Sequence, residues 1–552
     1  MLMPEEPLLT SKGIAIVLAD GISSSDVGHI AAESAVKSFL TDYYCTSETW
    51  SVKTSAQRVI AAANSWLYAQ TRRGHNPYDK DKGYVCTLSA LVVKGATAHI
   101  FHVGDSRVYR VAGNSLEQLT DDHRVIVSSE QTYLSRALGI GPQIEIDYQG
   151  VAVEKDDAFV LATDGAYDHI KDHEVVAAIR THADDLDRAA RILVEKAYER
   201  GSTDNLTVQI VRIDGLSVGK AADSFERPSE LPPAPLLEPR AIFEGYQIVR
   251  ELHASSRSHI YLAVDTETGA TVALKIPSID IGADAAHLKR LAMEEWLARR
   301  VNSGHVLKPC PQSRKRNYLY VVTEFVDGQT LRQWIADNPK PDLETVRGIV
   351  EQIARGLQAF HRMEVLHQDV RPDNIMIDKT GTVKIIDFGS AKVAGVAETA
   401  PPLEADAILG TAQYTAPEYF LGEGGSTCSD IFSLGVIAYQ MLTGALPYGP
   451  QVAQARTKSR LRRLKYRSAL DDNRDIPAWV DKVLAKAVHL DPAKRYDELS
   501  EFVFDLRHPK KEFLDTSQAP LIERRPLLFW QGLCFLLVCV VLLLLARLHG
   551  AI

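Results

Sequence analysis

Short apolar runs next to acidic residues recur along the first 215 residues of the chain. These runs are Gly13–Ala19, Ala98–Phe101, Phe159–Leu161 and Leu206–Val211. Short apolar runs bounded by polar residues are typical of buried strands. The pattern therefore predicts that this half is built on sheets, with carboxylates at the ends of several strands.

A different pattern begins near residue 244. Tyr246–Ile248 and Ile260–Ala263 predict a hairpin, and Leu343–His361 predicts a helix. The apolar run Val383–Ile386 predicts a strand that delivers Asp387 at its end. Predicted strands and helices alternate in this half, which is expected of a mixed α and β domain.

The segment from Leu527 to Ala546 is apolar on every side, with Gln531 its only strongly polar side chain. At a rise of ~1.5 Å per residue, a run of this length covers a bilayer core of roughly 30 Å. We therefore expect a single transmembrane helix at 527–546 rather than a buried core helix. Lys and Arg are concentrated before this segment, which predicts that everything before Leu527 lies in the cytoplasm.

Composition indicates a folded chain of several domains. Its 552 residues exceed one core, and 45% hydrophobic with 24% charged residues is typical of globular protein. A net charge of -9 offers no broad basic field, so no nucleic-acid partner is expected. The six Cys lack zinc-type spacing, which favours a reducing compartment, and the N-terminal residues do not resemble a signal peptide.

A Pro-rich, acidic stretch, Asp223–Pro239, separates the two patterns. It predicts a semi-rigid spacer, and a Pro-rich recognition ligand is the alternative. The predicted segments are 1–215, a linker at 216–243, 244–508, a juxtamembrane segment at 509–526 and the helix at 527–546.

Four acidic residues of the first half are candidate metal ligands: Asp20, Asp105, Asp164 and Asp204. Each lies at or near a strand end, and their oxygen-only chemistry, without nearby Cys or His, suits Mg²⁺ or Mn²⁺ better than zinc. We therefore expect a site for hard divalent cations.

With these motifs in family order, residues 1–215 resemble the metal-dependent type 2C (PPM-type) protein phosphatases, and helices are expected at Gly28–Leu40 and Ser51–Arg73. The resemblance implies a four-layer α-β-β-α sandwich. It also implies that Asp20 bridges two metals with the Gly21 carbonyl, that Asp164 and Asp204 hold the second ion, and that Asp105 serves a labile third one. Metal-bound hydroxide would then attack phosphoserine or phosphothreonine.

Two features depart from the phosphatase pattern. Nothing in Met1–Lys12 supplies the family's first strand with its phosphate-binding Arg, so the start looks truncated or the site has lost a part. The family's Gly-rich run after Asp20-Gly21 is replaced by Ile22–Ser25, a loop with less freedom at positive φ.

A candidate catalytic loop lies at His367–Asn374, HQDVRPDN. A carboxylate and a carboxamide five residues apart on one loop suit phosphoryl transfer from a metal-bound nucleotide. Asp369 would accept the proton of the incoming hydroxyl, Arg371 would face the transferring phosphate, and Asn374 would hold Mg²⁺ opposite Asp387.

From Tyr246 to Arg507 the sequence resembles the eukaryotic-like protein Ser/Thr kinases, which implies a bilobal α+β fold. Lys275, at the end of Val272–Lys275, would bind ATP and pair with Glu294, which we prefer to Glu295. The remaining predicted nucleotide-site residues are His253, Ser255, Ser258, Ile260, Ala273 and, in the hinge, Glu324.

The glycines that usually cover the nucleotide are absent, because His253, Ser255 and Ser258 take their three positions. This is the strongest sequence argument for an inactive kinase. Gln368 stands where many relatives have Arg, so we predict that activity does not strictly require phosphorylation at Thr399 or Thr411. Downstream, Glu418 is expected to pair with Arg495.

The sequence thus predicts a membrane-anchored enzyme with two opposed activities, a protein Ser/Thr kinase that uses ATP with Mg²⁺ and a phosphatase that uses Mn²⁺ or Mg²⁺. The expected partners are proteins with Ser/Thr or phospho-Ser/Thr, the chain itself through autophosphorylation, and a bacterial inner membrane. Two alternatives remain open: a phosphatase with a non-catalytic, nucleotide-sensing kinase fold, and an active kinase with an inactive phosphatase-like binding module.

Overall fold

The structure is a computed structural model that describes most of the chain. The described residues are 1–74, 79–128, 131–216, 231–278, 284–311, 314–398, 413–472, 476–510 and 526–548. Several predictions concern residues outside these ranges, namely the first part of the linker, Thr399 and Thr411, and most of the juxtamembrane segment.

The chain divides into two compact units. The first comprises Met1–Gly328, Gly356–Gln368 and Lys384–Leu409, and the second comprises Gln329–Arg355, Asp369–Val383 and Gly410–Ile552. The whole phosphatase-like half and part of the kinase-like half therefore lie in the first unit.

Two antiparallel four-stranded sheets form the phosphatase-like half. In order across the first sheet, the strands are Ile14–Leu18, Leu88–Lys94, Thr97–Val103 and Asp147–Ala152. Across the second they are Val208–Arg212, Ala158–Ala162, Arg107–Ala112 and Ser115–Gln118. A separate hairpin pairs Arg124–Ser128 with Gln131–Leu134.

Successive side chains along each strand point to opposite faces of the sheet, and this alternation explains how the two sheets stack. Ile16 and Leu18 point into the core between the sheets with Phe159, whereas Ala15 and Val17 pack under the helices on the outer face. Gly28–Cys45 and Val52–Arg73 cover the first sheet, and Asp172–Thr181 and Leu186–Glu199 cover the second. The predicted four-layer arrangement is therefore observed.

The N-terminal residues contact the outer edge of the first sheet. Leu8–Lys12 is helical, and Leu2 makes one antiparallel bridge with Ala15, in which the two backbone N–H···O distances are 2.8 and 3.1 Å. On this outer side of Ile14–Leu18, the described residues form this bridge and not a full strand.

Five antiparallel strands form the sheet of the kinase-like half. In order they are Ile242–Phe243, Tyr246–Ala254, Ser258–Asp265, Thr271–Pro277 and Val321–Glu324. The predicted hairpin is present, with Ile260 opposite Lys275 on the neighbouring strand. Short strands follow at Gly328–Thr330, Val365–Leu366, Ile375–Asp378, Val383–Ile385 and Lys392–Val393.

The described end of the predicted linker is not a free spacer. Leu319 donates its backbone N–H to the carbonyl of Pro232, and Ala234 is buried in the core of the five-stranded sheet. The spacer prediction is wrong here because this stretch does have apolar groups, among them Leu231 and Leu237, that the sheet can bury.

The predicted helix Leu343–His361 is present with the same bounds. Short helices occur at Asp164–Tyr167, Ala394–Ala397, Pro417–Phe420 and Lys458–Leu461. The other helices of the kinase-like half are Ala285–Ala298, Leu331–Asp337, Thr427–Thr443, Ala478–Ala487 and Leu499–Arg507.

The predicted transmembrane segment coincides with a helix, Pro526–Leu548. Among the described residues, however, no helix is long and apolar enough to cross a membrane. The expected membrane anchor is therefore not supported.

Candidate active sites

Lys275 is the centre of a charged cluster in the first unit. Its Nζ lies 2.7 Å from Glu294 Oε2 and 3.6 Å from Asp387 Oδ1. Burial alone would lower the pKa of Lys275, but the two carboxylates outweigh it and hold this pKa above its usual value. The lysine therefore stays charged, as a group that binds nucleotide phosphates must.

The neighbouring Glu295 has other partners. Its carboxylate accepts hydrogen bonds from Arg299 and Arg316, on the side away from Lys275. The structure thus places Glu294, and not Glu295, beside the lysine. Consecutive helical positions face different directions, which explains why two adjacent glutamates serve different pairs.

Tilted and edge-on aromatic contacts hold the residue that follows Asp387. Phe388 is buried against Phe360 with ring centroids 5.3 Å apart, and Phe360 in turn contacts His367. A Cβ on Gly389 would lie 3.3 Å from Glu294 Oε2, tighter than most such contacts. Glycine therefore leaves room for the carboxylate that pairs with Lys275.

Hydrogen bonds to the side chain of Ser255 close the turn at residues 253–258, which stands in place of the glycine-rich loop. Ser255 Oγ accepts hydrogen bonds from the backbone N–H groups of Arg257 and Ser258, at 3.3 and 3.1 Å. No residue from 253 to 258 has a positive φ, so the turn forms without glycine and without left-handed strain. The Ser255 hydroxyl thus accepts hydrogen bonds from two backbone amides that a glycine-rich loop would leave available for phosphate. His253, in the same hairpin, is exposed.

The predicted hinge is anchored through Glu324. Its carboxylate accepts from Lys384 Nζ at 2.7 Å and from the backbone of Lys308 at 3.0 Å. Ala273 lies opposite Thr323 on the adjacent strand. These contacts fix the end of the strand from which the hinge leaves.

The catalytic loop lies in the second unit. Asn374 Nδ2 donates to Asp369 Oδ2 at 2.9 Å and to the Asp369 carbonyl at 3.0 Å, while Arg371 Nε lies 3.7 Å from the same carboxylate. The predicted base, carboxamide and cation are thus brought together on one loop. Gln368, just before Asp369, has a φ of 66°, a conformation that non-glycine residues adopt at a cost.

Two ion pairs hold this part of the second unit. Arg332 donates to both carboxylate oxygens of Asp373, one residue before Asn374. Glu418 and Arg495 form the predicted pair, bidentate and buried, with both N···O distances at 2.8 Å. This prediction is confirmed.

In the phosphatase-like half, the loop after Asp20 packs backbone against backbone. A Cβ on Gly21 would lie 2.2 Å from the carbonyl oxygen of Gly28, and one on Gly28 would lie 2.6 Å from that of Ile22. Only glycine fits such an approach. The Asp20-Gly21 corner is therefore tied directly to the first turn of the helix Gly28–Cys45.

A second close contact joins the loops of Asp164 and Asp204. A Cβ on Gly165 would meet the Asn205 carbonyl at 2.6 Å and the Cβ of Asp204 at 3.1 Å. Burial raises the pKa of Asp20 to about 7, and repulsion from Asp164, Asp204 and Asp105 contributes. The four predicted carboxylates thus influence one another across one edge of the sandwich.

Arg124 is not among the site residues predicted from the sequence, but it contacts two of them. Its Nε donates to Asp105 Oδ2 at 2.7 Å, and its terminal nitrogen donates to Asp164 Oδ2 at 2.9 Å. Burial also raises the pKa of Asp164, with Asp105 contributing next. A signal was present in the sequence, since Arg124 directly follows the acidic stretch Asp121-Asp122-His123.

Carboxylate chemistry at this edge suits a hard cation, but the arrangement does not yet form a metal site. Within the described ranges, no group of three or more His, Cys, Asp and Glu side chains is placed to hold a metal ion. The predicted metal centre is therefore not shown, and the Arg124 guanidinium pairs with two of the four carboxylates that were predicted to bind it.

Comparison with known proteins agrees with this division. The sequence model of the protein kinase domain matches residues 246–503, and that of protein phosphatase 2C matches residues 9–204. Residues 246–503 are therefore similar to protein kinase domains, and residues 9–204 are similar to protein phosphatase 2C.

Relatives of residues 246–503 include bacterial Ser/Thr kinases. Ser/Thr kinase PrkC of Bacillus subtilis is 28% identical over 262 residues, covering 48% of this chain and 40% of the relative. PknA of Corynebacterium glutamicum is 33% identical over 196 residues, 35% of this chain and 41% of the relative. The chain thus spans about 40% of the length of these relatives. The solved kinase domain of Mycobacterium tuberculosis PknI is 25% identical and covers 50% of this chain and 100% of its own, with a TM-score of 0.39.

Proposed function

We propose that this chain is a protein Ser/Thr kinase that transfers phosphate from ATP to hydroxyl groups of proteins, with a second, hydrolytic activity in its phosphatase 2C-like domain. The observation that carries the kinase proposal is the position of Lys275 between Glu294 and Asp387. A lysine that stays charged between a helix glutamate and an aspartate at the end of the next strand is the arrangement that protein kinases use to bind nucleotide phosphates.

Each part of the kinase site has a chemical role in this proposal. Lys275 binds and orients the nucleotide phosphates, and Glu294 keeps its ammonium in place. Asp369 accepts the proton of the substrate hydroxyl, and Asn374, which donates to Asp369, holds that carboxylate in one orientation. Mg²⁺, when bound, would neutralise phosphate charge, and in the first unit Asp387 is the residue that would hold it.

A labelling experiment tests the kinase proposal. The full chain is incubated with γ-labelled ATP, Mg²⁺ and casein, and the Lys275→Met variant is compared with Lys494→Met, which changes an exposed lysine. We expect the first variant to lose phosphorylation of casein and of the chain itself, and the second to match the wild type. Equal labelling by all three proteins would contradict the proposal and favour a nucleotide-sensing kinase fold.

The phosphatase proposal depends on the match of residues 9–204 to protein phosphatase 2C and on the close packing of the Asp164 and Asp204 loops. Its test is Mn²⁺-dependent release of phosphate from a phosphothreonine peptide, with Asp20→Asn beside Asp187→Asn, which changes an exposed helical carboxylate. We expect release by the wild type and by Asp187→Asn only. No release from the wild type at saturating Mn²⁺ would favour the alternative, an inactive phosphatase-like binding module.

A further inference from the structure

The helix Val52–Arg73 of the phosphatase-like half begins against two carboxylates from the kinase-like half, within the first unit. Glu364 Oε2 accepts from the N–H and hydroxyl of Ser51, at 2.7 and 2.9 Å, and Glu364 Oε1 accepts from Thr54 Oγ1 at 2.6 Å. Glu398 accepts from the N–H of Val52 at 3.0 Å. The first turn of a helix has unpaired N–H groups and a positive dipole end, so it favours such anions.

Lys94 strengthens the same contact. Its side chain is 1% exposed, and its Nζ donates to the Gly395 carbonyl at 2.6 Å and to Glu398 Oε2 at 3.0 Å. Both of these acceptors belong to the kinase-like half. A buried ammonium is costly without partners, so this lysine of the phosphatase sheet depends on the kinase segment for its charge balance.

The backbone of Gly395 packs directly against the backbone of residues 48–50 in the phosphatase-like half. It donates its N–H to the Thr49 carbonyl at 2.9 Å. A Cβ at this position would lie 2.6 Å from the carbonyl oxygen of Glu48 and 2.7 Å from that of Trp50. Any larger residue would force the two halves apart.

Glu364, the other residue of the kinase-like half at this contact, has a strained backbone conformation. Its φ is 54°, a left-handed conformation that is strained for a non-glycine residue. Glycine would remove the strain but also the carboxylate that caps the helix. Nearby, Trp50 Nε1 donates to the Arg362 carbonyl at 3.0 Å. The strain is thus offset by hydrogen bonds to the other half.

We propose that residues 48–54 and Lys94 form a docking surface for the kinase segment 394–398, with Glu364 as its second anchor, and that docking restrains the kinase. Segment 394–398 follows Asp387-Phe388-Gly389 and leads directly to Thr399. While Gly395 and Glu398 are held by the phosphatase domain, the start of this segment cannot rearrange around a protein substrate. The phosphatase domain therefore acts on the kinase by contact as well as through any chemistry of its own.

The key variant is Glu364→Gly in the full chain, because it removes the carboxylate and relieves the left-handed strain. Glu244→Gly is the matched control, since Glu244 has a φ of 50° and accepts from Asn317, away from the docking surface. Gly395→Ala is a second, steric variant. Hydrogen exchange at 49–54 and 392–398 is measured together with phosphorylation of casein.

We expect both docking variants, but not the control, to exchange faster in both segments and to phosphorylate casein about fivefold or more faster, as for a typical coupling of sites. Unchanged exchange would overturn the docking, and faster exchange with an unchanged or lower rate would overturn the restraint. The restraint rests on the proposed kinase function. If the wild type does not phosphorylate casein at all, that function fails, while the exchange data still decide the docking.

Discussion

Arg124 donates a hydrogen bond of 2.7 Å to the carboxylate of Asp105, a residue that the sequence analysis assigns to a divalent cation. The same guanidinium reaches Asp164 at 2.9 Å. Two carboxylates that were predicted to bind a metal ion are therefore paired with an arginine side chain. We predict that Arg124→Met binds Mn²⁺ about tenfold more tightly, or about 1.4 kcal/mol, because two carboxylates lose their internal counter-charge.

Isothermal titration with Mn²⁺ measures this difference. Arg110→Met is the matched control, because Arg110 lies in the same half but pairs with Asp157 instead. Equal Mn²⁺ affinity in the wild type and Arg124→Met would show that the arginine does not compete with the metal.

The serine-closed loop makes a prediction about ATP binding. Ser255→Gly removes the hydroxyl that engages the amides of Arg257 and Ser258 and adds backbone freedom, so we expect a KM for ATP several-fold lower. Ser255→Ala removes the hydroxyl without the added freedom and separates the two effects. Steady-state kinetics at varied ATP measure both, and a higher KM in Ser255→Gly would show that the serine-closed turn itself binds phosphate.

Asp369 is predicted to act as the general base. Asp369→Asn keeps the size of the side chain but removes its basicity, so kcat is expected to fall by roughly 10²–10⁴-fold, as for a typical general base. Binding of a fluorescent ATP analogue is expected to change little. Asp337→Asn, at an exposed helical carboxylate, is the control, and a kcat for Asp369→Asn within twofold of that control would exclude the assigned role.

The buried pair of Glu418 and Arg495 is predicted to stabilise the second unit. Arg495→Met leaves Glu418 as an uncompensated buried charge, which costs about 3–5 kcal/mol. Hydrogen exchange in the helix Thr427–Thr443 measures this local loss without assuming that the whole chain unfolds in one step. Arg507→Met, at a more exposed pair with Glu344, is expected to cost much less, because solvent screens exposed ion pairs.

The same pair predicts a pH dependence. Burial would raise the pKa of Glu418, but hydrogen bonds and attraction from Arg495 outweigh it and hold this pKa below its usual 4.5. A lowered native pKa means that the stabilisation is complete above pH 4.5 and is lost as the pH falls through the native value. Glu418→Gln is expected to remove up to about 1.4 kcal/mol per pH unit from the acid-side slope. An identical slope would contradict the shift.

Elements with strong periodicity could be predicted from the sequence. Leu343–His361 has the expected bounds, and the choice of Glu294 over Glu295 agrees with its 2.7 Å contact to Lys275. Both follow from local rules, namely helical period and spacing to a motif. The pairing of Glu418 with Arg495 could be predicted because it belongs to a family pattern.

Contacts between distant parts of the chain could not be predicted in this way. No spacing rule connects Arg124 to Asp164 or Lys94 to Glu398, because such partners meet only after the sheets have formed. The linker end at Ala234 was misread for a related reason. Its few apolar residues look insufficient to bury anything alone, yet a neighbouring sheet offers them a place.

The contact of Lys94 with Gly395 and Glu398 affects how the enzyme should be dissected. A phosphatase domain cut away at the linker would expose an ammonium that is only 1% accessible in the full chain and would uncap the helix at Ser51. Measurements on a truncated protein would therefore include the effect of this newly exposed surface. Either activity should be measured on the intact polypeptide.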